Sequence, residues 1–289
     1  MPKPVGSYVY WSERLVGEVI DDNGVRLDPR IKSALKLGVA GSGLDLTGRD
    51  REKTSFEIAE KLKKKLRSHM VSDLDTPGPL RLVQGEGWVE VAEFQRWDAG
   101  LEHTLGQRTA VIHAQTVTQE GRRVDICLFG SLKNLRGYTI LEEDPGSGWV
   151  SSAAPAIQEF IALRGAAPSA RTRDTWGYDE EAVAVEALKV ALFQGISNEY
   201  TRRPEARAFT VMDFKASEYV AVIYKDVTLT PDRWDHEPDM NGVSRILIGA
   251  PLWLRMTRPE TMRTYSGTNR GALPGRDTSR PGRDDQLHG

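Results

Sequence analysis

The spacing of apolar residues changes period several times along the chain, and each change marks an element. Tyr8-Val9-Tyr10-Trp11 is a short run of strand-forming aromatic and β-branched residues that stops at Ser12. Ser12 can accept a backbone N–H as a helix N-cap. Behind it Leu15, Val16, Val19 and Ile20 recur at helical spacing as far as Asn23-Gly24, so the chain is read as strand, tight turn, helix. A loop rich in glycine follows (Gly38, Gly41, Gly43, Gly48). Thr54 and Glu57 then have capping-box spacing and are expected to open a second amphipathic helix, with Phe56, Ala59, Leu62, Leu66 and Met70 on one face and a basic run on the other.

From Gly87 to about Gly130 the period shortens and predicts three strands, WVEVAEFQRW, RTAVIHAQTV and RRVDICLF, most simply arranged as a meander. With Glu120-Gly121 as the tight turn between the last two, Val117 faces Val124, Gln115 faces Ile126 and His113 faces Leu128. That register puts His113 on the apolar face, and Asp125 and Cys127 on the other. Residues 141–178 carry Pro, Gly, Ser and Ala clusters around one short helix, about Pro155 to Arg164, and read as a linker. Residues 179–194 are apolar nearly all round and predict a buried helix, followed by strands near 207–214 and 218–229. The acidic loop PDRWDHEPDMNG and a strong final strand, SRILIGAPLWLRM, complete the ordered part; the Gly-, Pro- and Arg-rich tail beyond Thr257 has too few apolar residues to offset its ordering entropy.

These elements predict an α+β fold, with helices packed on mainly antiparallel sheets. Two similar halves are expected, residues 1–140 and 179–257, joined by the linker 141–178 and followed by a disordered tail, 258–289. ICLFGSLKNLR and ILIGAPLWLR share an apolar run, a glycine and a small residue, with the glycines at Gly130 and Gly249. A divergent duplication explains the likeness, and so does chance between two short apolar strands.

YVYWSERLV, FQRWDAG, LFGSLKNLRGY and ILIGAPLWLRM, taken in order, resemble an uncharacterised, mostly actinobacterial family with a YxYxS opening, a Gly-Ser strand end and a terminal GxPL-like strand. The resemblance spans residues 8–256 and implies no activity, cofactor or site residue. At Gly249-Ala250 the chain departs from the Gly-Ser or Gly-Thr expected of that family, which argues against a required hydroxyl there.

The 289 residues suffice for one large or two smaller domains, and 39 Lys+Arg against 41 Asp+Glu leave no global charge to draw nucleic acid or an anionic membrane. Cys127 is the only cysteine, which excludes an intramolecular disulfide and a cysteine-based zinc site. With no signal-peptide pattern and no spanning apolar run, a cytoplasmic protein is expected.

Several stretches invite a chemical reading and a plainer one. GVAGSGLDLTGRD could cradle an anion, but it has neither the P-loop nor the dinucleotide pattern, and a loop is the default. KLKKKLRSH could contact phosphates; without interleaved aromatics it reads first as the solvated face of a helix, and nucleic acid is not favoured. The carboxylates around His236 lack cation-site spacing, so no metal is assigned. Cys127 reads as an inert buried thiol and the tryptophans as core.

The resulting expectation is a cytosolic ligand-binding or sensor module without an evident catalytic set. Its ligand would lie near His113, Ser131, Lys133, Asn134 and Trp253, with the cofactor unknown. Two alternatives stay open: an enzyme without a recognisable motif, using His113 or the acidic loop, and a protein-interaction subunit. The partner is accordingly a small molecule or a protein, no membrane is involved, and a homo-oligomer is left open.

Overall fold

The computed structural model describes residues 7–27, 48–75, 82–96, 109–136, 180–192, 206–237 and 240–264. Strand β1 (Ser7–Trp11) ends at Ser12, whose Oγ accepts the Leu15 N–H at 3.4 Å and caps helix α1 (Glu13–Asp22). Helix α2 spans Gly48–Leu66, so Thr54 lies inside it and not at its expected start. Strand β2 (Met70–Val71) follows and pairs parallel with the start of β3 (Leu82–Arg96). The remaining elements are β4 (Thr109–Val117), β5 (Arg123–Ser131), helix α3 (Glu180–Leu192), β6 (Ala206–Thr228), β7 (Val243–Met256) and β8 (Met262–Thr264).

Five strands close a ring in the order β3-β4-β5-β7-β6 and back to β3. β3, β4 and β5 form a meander and β6 returns to lie beside β3, which is a Greek key; β7 then closes the ring by pairing parallel with β5 and antiparallel with β6. This is the five-stranded Greek-key barrel of the OB-fold type. β1 extends the wall alongside the end of β7, and β8 pairs with β6 at Met212–Phe214.

Period-2 alternation divides each strand between two environments. Val89, Val91, Ile112, Ile126, Leu128 and Phe214 fill the barrel interior, each fully buried side chain contributing about 1.5–3 kcal/mol of transfer free energy. Val111, Cys127, Phe129, Ile246 and Ile248 point outward and are covered by Ala184, Val185, Ala187, Leu188 and Ala191 of α3. Elsewhere on the outside, α1 and α2 bury Leu15, Val16, Ile58 and Leu62 against Val220, Leu252 and Trp253.

Several expectations change. The β4–β5 register pairs His113 with Cys127, Gln115 with Asp125 and Val117 with Arg123, one residue away from the expected one. The turn is longer than two residues: Thr118 N–H donates to Arg122 O at 2.8 Å, Gly121 N–H donates to Thr118 O at 2.9 Å, and Gly121 takes the left-handed φ of 78°. A one-residue slip exchanges the faces of a strand, so His113 points out of the barrel beside Asp125 and Cys127, not onto its apolar interior.

The strands expected near 207–214 and 218–229 are one continuous β6 of 23 residues: the pairing with β3 shifts register at Lys215-Ala216, as at a β-bulge, and resumes at Ser217 opposite Gly87. Residues 262–264, expected within the disordered tail, instead pair with β6, where a strand edge supplies partners for their backbone groups. Strands β3, β4 and β5 of the first expected half and β7 and β6 of the second close one ring and share one interior, so among the described residues neither half builds its own sheet. ICLFGS and ILIGAP lie side by side as parallel strands, Ile126 beside Leu247 and Leu128 beside Gly249. The glycine-rich loop before Gly48 and the linker 141–178 with its short helix lie outside the described residues.

Candidate functional site

Helix α2 carries Ile58, Ala59, Leu62 and Leu66 at helical spacing, and all four are buried against the barrel. That contact turns Lys63, Lys64 and Arg67 toward the side. His69 N–H bonds back to Leu66 O at 2.8 Å and β2 then runs along the start of β3, so a strand wall rises beside the helix. Between the two walls is a solvent-open groove of about 500 Å³. Lys63, Lys64, Arg67 and Glu60 form the helix wall, and Met70, Ser72 and Gln84 the strand wall.

The cations of this groove are not equivalent. The Lys63 ammonium lies 3.6 Å from Glu60 and also pairs with buried Glu218, which is held in turn by Arg255. Lys64 and Arg67 have no ion-pair partner among the described residues. Lys64 belongs to the last turn of α2, and Arg67 follows the helix's last residue, Leu66, in the turn that leads to β2. Beside the Glu60–Lys63 pair, the described residues of the groove thus offer two cations without an ion pair, a hydroxyl, an amide and one apolar side chain, which is chemistry for holding an anion.

A second constellation lies on the outer face of β3, β4, β5 and β6. Asp213, Glu90, His113 and Cys127 occupy successive cross-strand positions, and all are buried. His113 Nε2 is 2.8 Å from Asp125 Oδ1. Arg123 grips the same carboxylate at both oxygens, Nη2 donating to Oδ1 at 2.9 Å and Nε lying 2.7 Å from Oδ2. Although Cys127, His113 and Asp125 are the residue types of a nucleophile, base and orienting acid, the thiol is fully buried under α3. Burial and the neighbouring Asp125 push its pKa well up, which disfavours the thiolate that would act as a nucleophile. Among the described residues no three His, Cys, Asp or Glu side chains converge to hold a metal ion.

The structure separates the residues expected to share a pocket. Ser131, Lys133 and Asn134 form one 3-10 turn, in which Ser131 Oγ accepts the Lys133 N–H at 3.4 Å and Asn134 Nδ2 donates to the Tyr10 hydroxyl at 3.0 Å. Burial raises the Tyr10 pKa, so that hydroxyl is a neutral hydrogen-bonding group. Trp253 stacks on Trp11 at 5.7 Å beneath α1 and α2. His113 belongs to the outer face of β4, in a different layer.

The acidic loop is tied down by Glu181 of α3. Glu181 accepts from Thr230 N–H at 3.1 Å, Thr230 Oγ1 at 2.6 Å and Trp234 Nε1 at 2.8 Å, and lies 3.4 Å from Arg233. Burial alone would raise the Glu181 pKa, but these hydrogen bonds and the Arg233 charge outweigh it and hold the pKa below its ordinary value. A lowered carboxylate pKa contributes stability that is complete above the unfolded value, about pH 4.3, and is lost as pH falls through the folded value. Glu181→Gln is therefore expected to flatten the stability profile below about pH 4.3, measured by urea unfolding at stepped pH. An unchanged profile would remove Glu181 from this role.

Neither a protein-family model, nor a curated protein, nor a solved structure matches the chain. Among the described residues, no helix is long and apolar enough to cross a membrane. The groove was half legible in the sequence: the basic face of α2 was visible, but its strand wall depends on β2 joining the sheet. The missed partner was Glu218, which singles out Lys63 from its neighbours and carries no local sequence signal.

Proposed function

We propose that this chain is a ligand-binding module whose ligand is an anion held in the groove between α2 and the β2–β3 wall. The observation that carries the reading is the pair Lys64, in the last turn of α2, and Arg67, in the turn just after it, both lining the groove and without an ion-pair partner among the described residues. Five-stranded Greek-key barrels commonly bind ligands on the outer face of their second and third strands. Here part of that face, at Val111, Cys127 and Phe129, lies under α3, so fold analogy does not place the ligand and the groove's own chemistry has to. The earlier expectation of a ligand near His113, Ser131 and Trp253 gives way to this position, because those residues lie in separate layers.

A catalytic role for His113–Asp125–Arg123 has weaker support, since its neighbouring thiol is buried and its pKa is pushed up, away from the thiolate. A protein-interaction role through a sheet edge is also less supported, because ring closure gives the barrel strands partners on both sides along much of their length. Thermal unfolding at low ionic strength tests the proposal, with pyrophosphate, phosphate, sulfate and citrate as probes. At 100-fold excess over Kd a ligand bound only by the folded state adds about 2.7 kcal/mol, a rise in Tm of several degrees. The rise is expected to disappear in Lys64→Gln/Arg67→Gln. No shift with any anion, or an equal shift in the double variant, would overturn it.

A further inference from the structure

We infer that the groove selects a phosphate monoester carried on a small hydroxylated molecule, of the size of a sugar phosphate or a mononucleotide; this rests on the anion-binding reading above. Charge balance supplies the first argument. Lys63 is already engaged by Glu60 and Glu218, so among the described residues the charge without an ion pair in the groove is the two units of Lys64 and Arg67. A phosphate monoester carries about −1.5 to −2 at neutral pH and matches it, whereas a diester carries too little and a polyphosphate chain too much.

Geometry supplies the second argument. The Arg67 guanidinium can hold two phosphate oxygens with its planar fork while Lys64 acts as a point charge on the third. The Ser72 hydroxyl and the Gln84 amide stand on the opposite wall, suited to hydroxyls on the carrier, and Met70 offers a limited apolar contact. The volume of about 500 Å³ suits a small molecule. Among the described residues Met70 is the only apolar side chain lining the groove and no aromatic ring lines it, so they offer stacked bases of a single-stranded nucleic acid no platform.

The helix macrodipole sharpens the expectation. The groove lies at the C-terminal turn of α2, where the helix presents partial negative charge and no free N–H groups. The helix end therefore offers the anion no backbone donor, and side-chain charge has to offset the helix dipole. The same lysines also complement the carbonyl end of the helix, so stability of every variant is followed alongside affinity.

The test is isothermal titration of the full chain at low ionic strength with ribose 5-phosphate, ribose, inorganic phosphate, citrate and an eight-residue oligothymidylate. Ribose 5-phosphate is expected to bind and ribose not to bind. Inorganic phosphate should bind about tenfold more weakly than ribose 5-phosphate, a loss of about one hydrogen-bond contribution. Arg67→Lys should weaken ribose 5-phosphate about tenfold, since a point charge replaces the fork, and Gln84→Ala should weaken ribose 5-phosphate while leaving inorganic phosphate unchanged. Equal affinity for phosphate and ribose 5-phosphate would overturn the hydroxylated carrier. Citrate binding without phosphate ester binding would overturn the phosphate assignment and leave the anion site standing. Tighter oligothymidylate binding with a steep salt dependence would replace the small ligand by nucleic acid. No binding by any probe would end both this inference and the anion-binding reading.

Discussion

Asp125→Ala is expected to destabilise the fold by about 3–5 kcal/mol, a fall in Tm on the order of 10 °C, because it takes the carboxylate from a buried ion pair and leaves its partners in place. Asp125 is fully buried, and Arg123 and His113, both also buried, converge on it. Removing one member of such a set leaves buried charge and a buried imidazole without their carboxylate, which is worse than never having built the cluster. Asp125→Asn keeps one acceptor oxygen, on which His113 Nε2 and Arg123 Nη2 both converge, while setting an NH2 against Arg123 Nε, so its effect should be smaller than that of alanine without being neutral. Urea unfolding measures both. A loss below about 1 kcal/mol for the alanine variant would mean that the cluster is solvated and not a fixed part of the barrel wall.

Gly249→Ala is expected to cost at least the upper end of the usual 1–3 kcal/mol for overpacking. A Cβ at Gly249 would collide with the Val222 carbonyl oxygen, a backbone atom of β6 that cannot move without opening the β6–β7 seam. Gly130→Ala meets a softer neighbour, the Tyr10 hydroxyl at the end of a side chain, but the displaced ring would lose its bond from Asn134 inside a full core. The expected order of destabilisation is Gly249→Ala, then Gly130→Ala, then Ser131→Ala, whose hydroxyl makes only a 3.4 Å contact within its own turn. Midpoints of denaturant unfolding give this order directly. A Ser131→Ala variant that unfolds earlier than Gly130→Ala would contradict the close-approach role of the glycine.

Local elements were legible wherever local physics decides them. Ser12 capping α1, the alternation of β4 and β5, and the apolar helix now seen as Glu180–Leu192 follow from spacing within a dozen residues. What was not legible depends on pairing across the chain. The one-residue register of β4 against β5 turns on a left-handed Gly121, and that single slip moved His113 from the apolar interior to the outer face. The barrel itself depends on β6 bonding β3 on one edge and β7 on the other, over a run of 23 residues that the sequence divides into two apparent strands. The groove follows the same logic: the cations are written in α2, but which of them is free is decided by Glu218, more than 150 residues along the chain.

The same contrast explains why chemically suggestive residues came apart. Ser131 lies at the end of a strand, where its hydroxyl caps a 3-10 turn, and Trp253 is spent on a stack with Trp11. Residue type alone proposed a pocket. Strand parity and layer membership dissolved it and left the basic groove as the place where uncommitted polar groups meet.

The central claim, that an anion binds between α2 and the β2–β3 wall, is tested most directly by amide chemical-shift mapping of the full chain during titration with inorganic phosphate. The account predicts saturable shifts clustered at Lys63–Arg67, Met70–Ser72 and Gln84, absent in Lys64→Gln/Arg67→Gln. Shifts confined to His113, Gln115 and Arg123, with the groove silent, would contradict it and move the ligand to the outer face of β4 and β5.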